Sequence, residues 1–380
     1  MSLAQHKKFA GKIEIALKFP IDDKNDLSLA YSPGVAEVSR EIAKRPLSAK
    51  NYTLKGNSVA IVSDGSAILG LGNLGALAAI PVMEGKAALF KKFAGIDAFP
   101  ICLNTQNEDE IIATVKAIAP VFGAINLEDI SAPRCFNIEK ILRRELDIPV
   151  MHDDQHGTAV VVLAGLINSL KLRKSSNGSI NSPQEKIVKI VINGAGSAGI
   201  AIAELLLMYG FKNIILNDSK GTIYSGRKDL NSDKKRLASL TNKKNIKGDL
   251  AQSLIGADIF IGVSKGGVLS EEMIKTMNLK PIIFALANPE PEIMPEKAKK
   301  AGAFIIATGR SDYPNQVNNA LAFPGIFKGA LQNNIKQFDD KMFIKAALAL
   351  ASSIKNPTIA KIIPTPFDKG VVERIAKVIK

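Results

Sequence analysis

Tryptophan is absent from the 380 residues, and there are only five tyrosines and three histidines. A chain this poor in exposed aromatic platforms is not built to stack single-stranded nucleic acid. Cysteine is equally scarce: Cys102 and Cys135 are the only two, and they form no CxxC pair. That excludes a disulfide scaffold and a structural zinc site. Both read as buried core thiols in a reducing cytoplasm. The N-terminal stretch MSLAQHKKFAGKIEIALKFP has no continuous apolar segment, so no signal peptide is expected. A run of about 20 mostly apolar residues, as a membrane helix requires, is also missing. The nearest approach, GSAILGLGNLGALAAIPVM at 65–83, is broken by glycines, an Asn and a Pro, and reads as buried loop and core helix. Acidic residues are in deficit, 36 against 50 basic ones, for a net charge of +14. Nucleic acid or anionic lipid must then be considered. But the densest basic clusters, KKNIK and DKKRL, lie in Asn-rich turns. A solvated basic surface that favours anionic metabolites is the better reading, with no nucleic-acid and no membrane partner.

What the chain does have is apolar residues, 46% of the total. There is no short repeat and no low-complexity tract. The length suggests two domains. After 186, strands and helices alternate: KIVKIVING, then AGIAIAELLLMYG, then KNIILND, ADIFIGVS, KPIIFALAN and AFIIATG. Apolar runs of strand length separated by helices predict a parallel sheet with helices on both faces. In the first half, NSVAIVSDG, DAFPICLNT and GAINLEDI read as strands, and EDEIIATVKAIAPVFG as an amphipathic helix. TAVVVLAGLINSLKL reads as a long buried helix, the polar 171–186 as a surface loop, and DDKMFIKAALALASSI and KGVVERIAKVIK as C-terminal helices. The fold class expected is α/β.

Two segments match G-x-G-x-x-G: GLGNLG at 70–75 and GAGSAG at 194–199. The pattern is informative only directly after a strand, before a helix, and with an acid about 20 residues on. GAGSAG meets all three conditions, with Asp218 closing the next strand. Gly194 would permit the tight turn, Gly196 the approach of a pyrophosphate and Gly199 close helix packing. Ala195, Ser197 and Ala198 complete the loop, whose helix N-terminus would face the phosphates. A tight strand–helix turn without ligand is the bland alternative. GLGNLG fails the test: five residues separate it from its strand, and the next strand ends in Asn104.

Unusual polar groups gather in the first half. Tyr31 precedes a Pro–Gly turn, Lys86 follows Gly85 where an apolar helix is expected to start, and Glu128 and Asp129 end a strand. Asp153 and Asp154 follow, flanked by His152 and His156. Paired carboxylates of this kind suit an oxygen-liganded Mg²⁺ or Mn²⁺. HExxH, the helical zinc pattern, is missing. Each pair taken alone reads equally as helix capping or exposed turn charge.

YSPGVAEV, VSDGSAILGLGNLGALAAIPVMEGKAALFK, INLEDISAPRCF, HDDQHGTAVV, INGAGSAG, ALANPEPE and SDYPNQVNNALAFPGIF, in this order, resemble the motif series of bacterial malic enzymes. The resemblance runs from about Tyr31 to about Asp368. It implies oxidation of (S)-malate by NAD or NADP, decarboxylation to pyruvate, and a need for Mg²⁺ or Mn²⁺. It implies an N-terminal α/β substrate and metal domain over 1–155, and a Rossmann-like NAD(P) domain with C-terminal helices over 156–380. By resemblance, Tyr31 is the proton donor and Lys86 the base. Glu128, Asp129 and Asp154 are the metal acids, while Asn288, Asn318 and Asn319 line the nicotinamide and substrate region. GLGNLG falls to the substrate domain. The animal enzymes carry an Arg shortly before this loop that pairs with a malate carboxylate. Here there is none, and Ser66 or backbone amides would serve. Lys220 and Arg227 near Asp218 leave the choice between cofactors open, leaning to NADP. A homodimer is implied, and some relatives continue into a phosphotransacetylase-like domain. Two other readings compete. A dehydrogenase of the amino-acid or methylene-folate type would need no acidic trio. A basic nucleic-acid-binding protein would show salt-sensitive binding and no turnover.

Overall fold

The structure, a computed structural model, describes residues 2–173 and 188–380. Its first half is built on a four-stranded sheet of β1 (Ser58–Ser63), β2 (Asp97–Cys102), β3 (Ala124–Leu127) and β4 (Val150–His152), in the order β2-β1-β3-β4. Every pairing in it is parallel. The second half holds β5 (Ile190–Asn193), β6 (Ile214–Asp218), β7 (Gly221–Thr222), β8 (Ile259–Gly262), β9 (Ile282–Ala285) and β10 (Ile305–Thr308). Their order is β10-β9-β8-β5-β6-β7, parallel except for the β6–β7 hairpin. The α/β expectation holds. Strands such as SVAIVS and IFIG are buried along their whole length, as continuous Val/Ile runs are when helices cover both faces.

Register decides where chemistry can gather. Val62 pairs with Leu127, and Leu127 with His152. The residues just beyond that row are therefore Ser63 and Asp64 after β1, Glu128 and Asp129 after β3, and Asp153 and Asp154 after β4. In the second sheet Asn193 pairs with Asn217 and Gly262, and Gly262 with Ala285. GAGSAG, Asp218 and the segment carrying Asn288 thus leave one edge. Ligands of open α/β sheets bind at this carboxyl edge.

The helix Asp153–Arg173 joins the halves and carries the expected junction at 155 and 156 in its first turn. It packs on the helices Ser197–Tyr209 and Asp340–Ala351. One apolar core includes Val59, Met83 and Phe90 from the first half and Ile192, Phe323 and Phe343 from the second. Among the described residues, no helix is long and apolar enough to cross a membrane.

Some expectations change. Lys86, expected at a helix start, stands in the last turn of the helix Gly75–Leu89, whose earlier part is the core helix expected within 65–83. Of the stretch 65–83, Leu69, Leu71, Leu74 and Leu77 are exposed. The helix buries only Ala79, Met83, Lys86 and Ala87, because one chain covers just one of its sides. Cys102 is half-buried at the strand end, whereas Cys135 is buried as expected. The polar stretch 171–186 begins as the last turn of the long helix, and 174–186 lie outside the described residues.

Candidate active site

At the carboxyl edge of the first sheet, Lys86 is buried among acids. Its Nζ donates to Glu128 Oε1 at 2.6 Å and to Asp153, and lies 4.3 Å from the centroid of the Phe323 ring. Asn126 Nδ2 donates to the other Glu128 oxygen at 2.9 Å. The Asp129 amide donates to Asp154 Oδ2 at 2.9 Å, an angle of approach made possible by a left-handed backbone at Asp129, φ 51°. Burial pushes all four carboxyls, Glu128, Asp129, Asp153 and Asp154, above the ordinary carboxylate range, with mutual repulsion adding to it at Glu128, Asp129 and Asp153. Burial works against the Lys86 ammonium as well. The charges of Asp153, Glu128 and Asp154 outweigh it, and the pKa rises above that of a free lysine. A lysine must be neutral to act as a base, which calls for a lowered pKa; at Lys86 the direction is opposite, because three carboxylates hold the proton on.

Two buried oxygens here, Asp129 Oδ2 and Asp153 Oδ1, have no hydrogen-bond partner. Hard oxygens left over in a crowded acidic site fit a hard divalent cation in donor type. The side chains are not preassembled around one. Among the described residues, no three His, Cys, Asp or Glu groups stand in ligating array, and Lys86 bridges Glu128 and Asp153 instead. His152 lies behind Asp154, 3.8 Å from Oδ2, with both ring nitrogens unpartnered; burial lowers its pKa to about 4, which keeps it neutral.

GLGNLG now has a place. Gly70 has φ 72°, and a Cβ there would stand 2.6 Å from the Asn288 carbonyl. The loop therefore rests against the second half, at the segment that carries one of the expected nicotinamide residues. Asn319 lies beside Gly157, one helical turn after Asp153, and Asn318 caps the turn Asn319–Leu321 by accepting from the Ala320 amide at 2.9 Å. Ser66 is already engaged: its hydroxyl donates to Asp64 at 2.5 Å and accepts from the Ser131 amide and Arg134, both at 2.9 Å. Arg134 of SAPRCF brings a guanidinium beside Ser66, although the loop itself has none. Tyr31 stands apart. It is 71% exposed, and the helix before it, Lys24–Ala30, buries no residue.

GAGSAG makes the turn its glycines require. Gly194 has φ 112°, and a Cβ would meet the Val263 carbonyl at 2.5 Å. At Gly199 a Cβ would lie 1.7 Å from the Gly194 carbonyl. At Gly196 it would meet nothing within 4 Å, and the helix starting at Ser197 has no side-chain cap. The space and the unpaired N–H groups fit a phosphate. Asp218 is held by the Lys220 amide at 3.0 Å, and by Arg227 and Lys234, both at 2.8 Å. Beyond it opens a cavity of about 460 Å³, lined by Lys220, Arg227, Lys247 and Tyr224 among others.

The sequence reading set Asp153 beside Asp154 but gave it no partner. Only the fold ties it to Lys86. Phe323 under Lys86 and Glu139 behind the acidic turn carried no sequence signal beyond apolar or amphipathic spacing.

Residues 10–109 and 105–143 match the family of malic enzyme N-terminal domains, and residues 155–370 that of malic enzyme NAD binding domains. A bifunctional malic/malolactic enzyme of Bacillus subtilis is 52% identical, covering 100% of this chain and 91% of its own length. An NAD-dependent malic enzyme of Geobacillus stearothermophilus is 53% identical, over 97% of this chain and 76% of its own. The crystal structure of an NAD-dependent malic enzyme from Thermotoga maritima superposes with a TM-score of 0.94 at 50% identity, covering 100% and 99% of the two chains. A buried lysine among carboxylates at the edge of one sheet, and a glycine turn at the carboxyl edge of the other, are thus features of a chain that belongs to the malic enzyme family.

Proposed function

We infer that this protein oxidises (S)-malate with a nicotinamide dinucleotide and decarboxylates the product to pyruvate and CO₂. The observation that carries the reading is the buried Lys86, bonded to Glu128 and Asp153 and joined to the second half through Phe323. We propose Glu128, Asp129 and Asp154 as holders of Mg²⁺ or Mn²⁺. When bound, the ion would polarise the C2 oxygen of malate and the dinucleotide would accept the hydride. Charge on the carboxylates is what keeps Lys86 protonated, so neutralising that charge frees it to act as a base. Lys86 then takes the C2 hydroxyl proton as the C2 hydride leaves. The C3–C4 bond breaks, CO₂ departs, and the electron pair of that bond stays behind in the enolate of pyruvate, shared between C3 and the C2 oxygen. By the resemblance alone, Tyr31 is proposed to return a proton to C3, since in this structure it stands apart from Lys86. Asn288, Asn318 and Asn319 would line the substrate and nicotinamide, and Ser66 with its neighbouring amides would meet a malate carboxylate.

Gly194 to Gly199 would cradle the pyrophosphate. NADP is proposed as the preferred cofactor. Asp218 has its charge met by Arg227 and Lys234, which weakens its repulsion of a 2′-phosphate, and Lys220 and Lys247 line the adjoining cavity. A cytoplasmic homodimer is proposed as the working form. The segment before residue 58 offers Leu27, Leu29, Tyr31 and Val35 to solvent, and Leu74 and Leu77 are exposed as well. Apolar surface on this scale calls for a cover. The test of the activity is malate-dependent reduction of NADP and NAD with and without Mn²⁺. Turnover is expected only with the ion, and a rate that ignores both malate and Mn²⁺ defeats the reading.

A further inference from the structure

Behind the acidic turn, one buried carboxylate organises residues that touch neither substrate nor dinucleotide in the reading above. Glu139, in the helix Arg134–Glu145, is 5% exposed. Its Oε1 accepts from the His152 amide at 3.1 Å and faces His156 Nε2 at 2.9 Å. Its Oε2 accepts from Gln155 Nε2 at 3.2 Å and lies 3.1 Å from the same His156 nitrogen. The His156 ring stacks on Phe343 at 4.5 Å, with 13° between planes. Arg143, one turn further along the Glu139 helix, stands 3.9 Å away and donates to the Phe338 carbonyl.

The spacing of these contacts matters more than their number. Successive residues of a helix are about 100° apart around its axis. Residues 155 and 156 therefore share one side of the first turn and 153 and 154 the other, while Glu139 reaches residue 152, the end of β4, through its main-chain amide. Glu139 holds the first set. Asp153, bonded to Lys86, and Asp154, bonded to the Asp129 amide, are the second. What grips the outer side of this turn therefore bears on how its inner side projects.

We infer that Glu139 is a positioning residue for the acidic centre: by tying residues 152, 155 and 156 to the helix Arg134–Glu145, it fixes the direction in which Asp153 and Asp154 project. The inference rests on the metal reading proposed above. His156 is the second part of the device, bracing Glu139 against Phe343. Groups that orient metal ligands from outside commonly govern metal affinity by 10- to 100-fold.

Glu139→Gln keeps the volume but replaces one acceptor oxygen by an amide donor, which then faces another donor, Gln155 or His156. His156→Phe keeps the stack on Phe343 and removes the donor to Glu139. Mn²⁺ binding and NADPH binding are measured by calorimetry on the full chain, with Asp154→Asn alongside, and melting is followed for each variant. Glu139→Gln is expected to weaken Mn²⁺ binding about tenfold or more and His156→Phe by a smaller factor, with NADPH affinity within twofold of the parent. Mn²⁺ affinity kept in both variants while it falls in Asp154→Asn overturns the inference alone. Mn²⁺ affinity kept in Asp154→Asn as well overturns the metal reading and this inference together. Parallel loss of Mn²⁺ and NADPH binding in both variants, with a lower melting temperature, assigns Glu139 to general stability and also overturns it.

Discussion

Lys86 and Tyr31 divide the proposed proton chemistry, and the division can be measured. If Lys86 handles the C2 hydroxyl proton, Lys86→Ala depresses malate oxidation and oxaloacetate reduction alike. If Tyr31 only protonates C3, Tyr31→Phe depresses pyruvate formation and spares oxaloacetate reduction. Each loss should be about 10²–10⁴-fold, in protein first shown to be folded and to bind dinucleotide. Equal losses in both reactions for Tyr31→Phe end the division of labour, and near-normal turnover in Lys86→Ala ends the site. Cofactor choice is also settled by single residues. Lys220→Ala should lower kcat/KM for NADP relative to NAD by about tenfold or more, the worth of one charge-assisted hydrogen bond. An unmoved ratio removes Lys220 from the 2′-phosphate. At this scale the sequence revealed which residue types were unusual, such as Lys86 inside an apolar segment and adjacent acids. It could not reveal that Asp153 rather than a solvent molecule meets Lys86, because that contact joins residues 67 apart.

The elements separate the two glycine loops. Both match G-x-G-x-x-G, but only GAGSAG leads directly from a strand, β5, into a helix, and within it the Cβ environments of two glycines differ. At Gly199 a methyl group would collide with the Gly194 carbonyl, whereas at Gly196 it would enter open space. Gly199→Ala should therefore lower the melting temperature and dinucleotide affinity together. Gly196→Ala, at φ −92°, should leave melting within about 2 °C, since an exposed site away from special features changes stability little. It should still weaken NADPH binding at least tenfold if the pyrophosphate approaches there. Full NADPH affinity in Gly196→Ala places the cofactor elsewhere. Strand and helix positions were legible because apolar period and glycine punctuation are local signals. The helix Gly75–Leu89 was legible in part, as a core helix within 65–83, but the pattern sets Lys86 at a helix start, because a run with Pro81 inside is held as one helix only by packing against β2.

For the whole molecule, the open question is what covers the apolar face of the N-terminal segment. Lys12 donates to the Pro81 carbonyl at 2.6 Å, so this segment lies along the helix whose Leu77 is 83% exposed. Sedimentation should give twice the chain mass for the parent. Leu77→Glu should shift it toward the single chain, since a buried charge without a partner costs several kcal/mol. A parent that sediments as one chain at micromolar concentration removes the homodimer.

By itself the sequence determined the α/β class and the kinship with malic enzymes, and it marked GAGSAG as the candidate dinucleotide loop. Each is written in short-range order: alternating apolar runs, glycines at fixed offsets, motifs in series. The tertiary structure alone decided that Lys86, Glu128, Asp153 and Phe323 meet, that Ser66 is committed within the chain, and that Glu139 grips the acidic turn. Those relations depend on strand register and on the packing of one helix across both halves. Register aligns positions that are distant along the chain, and no local pattern encodes it.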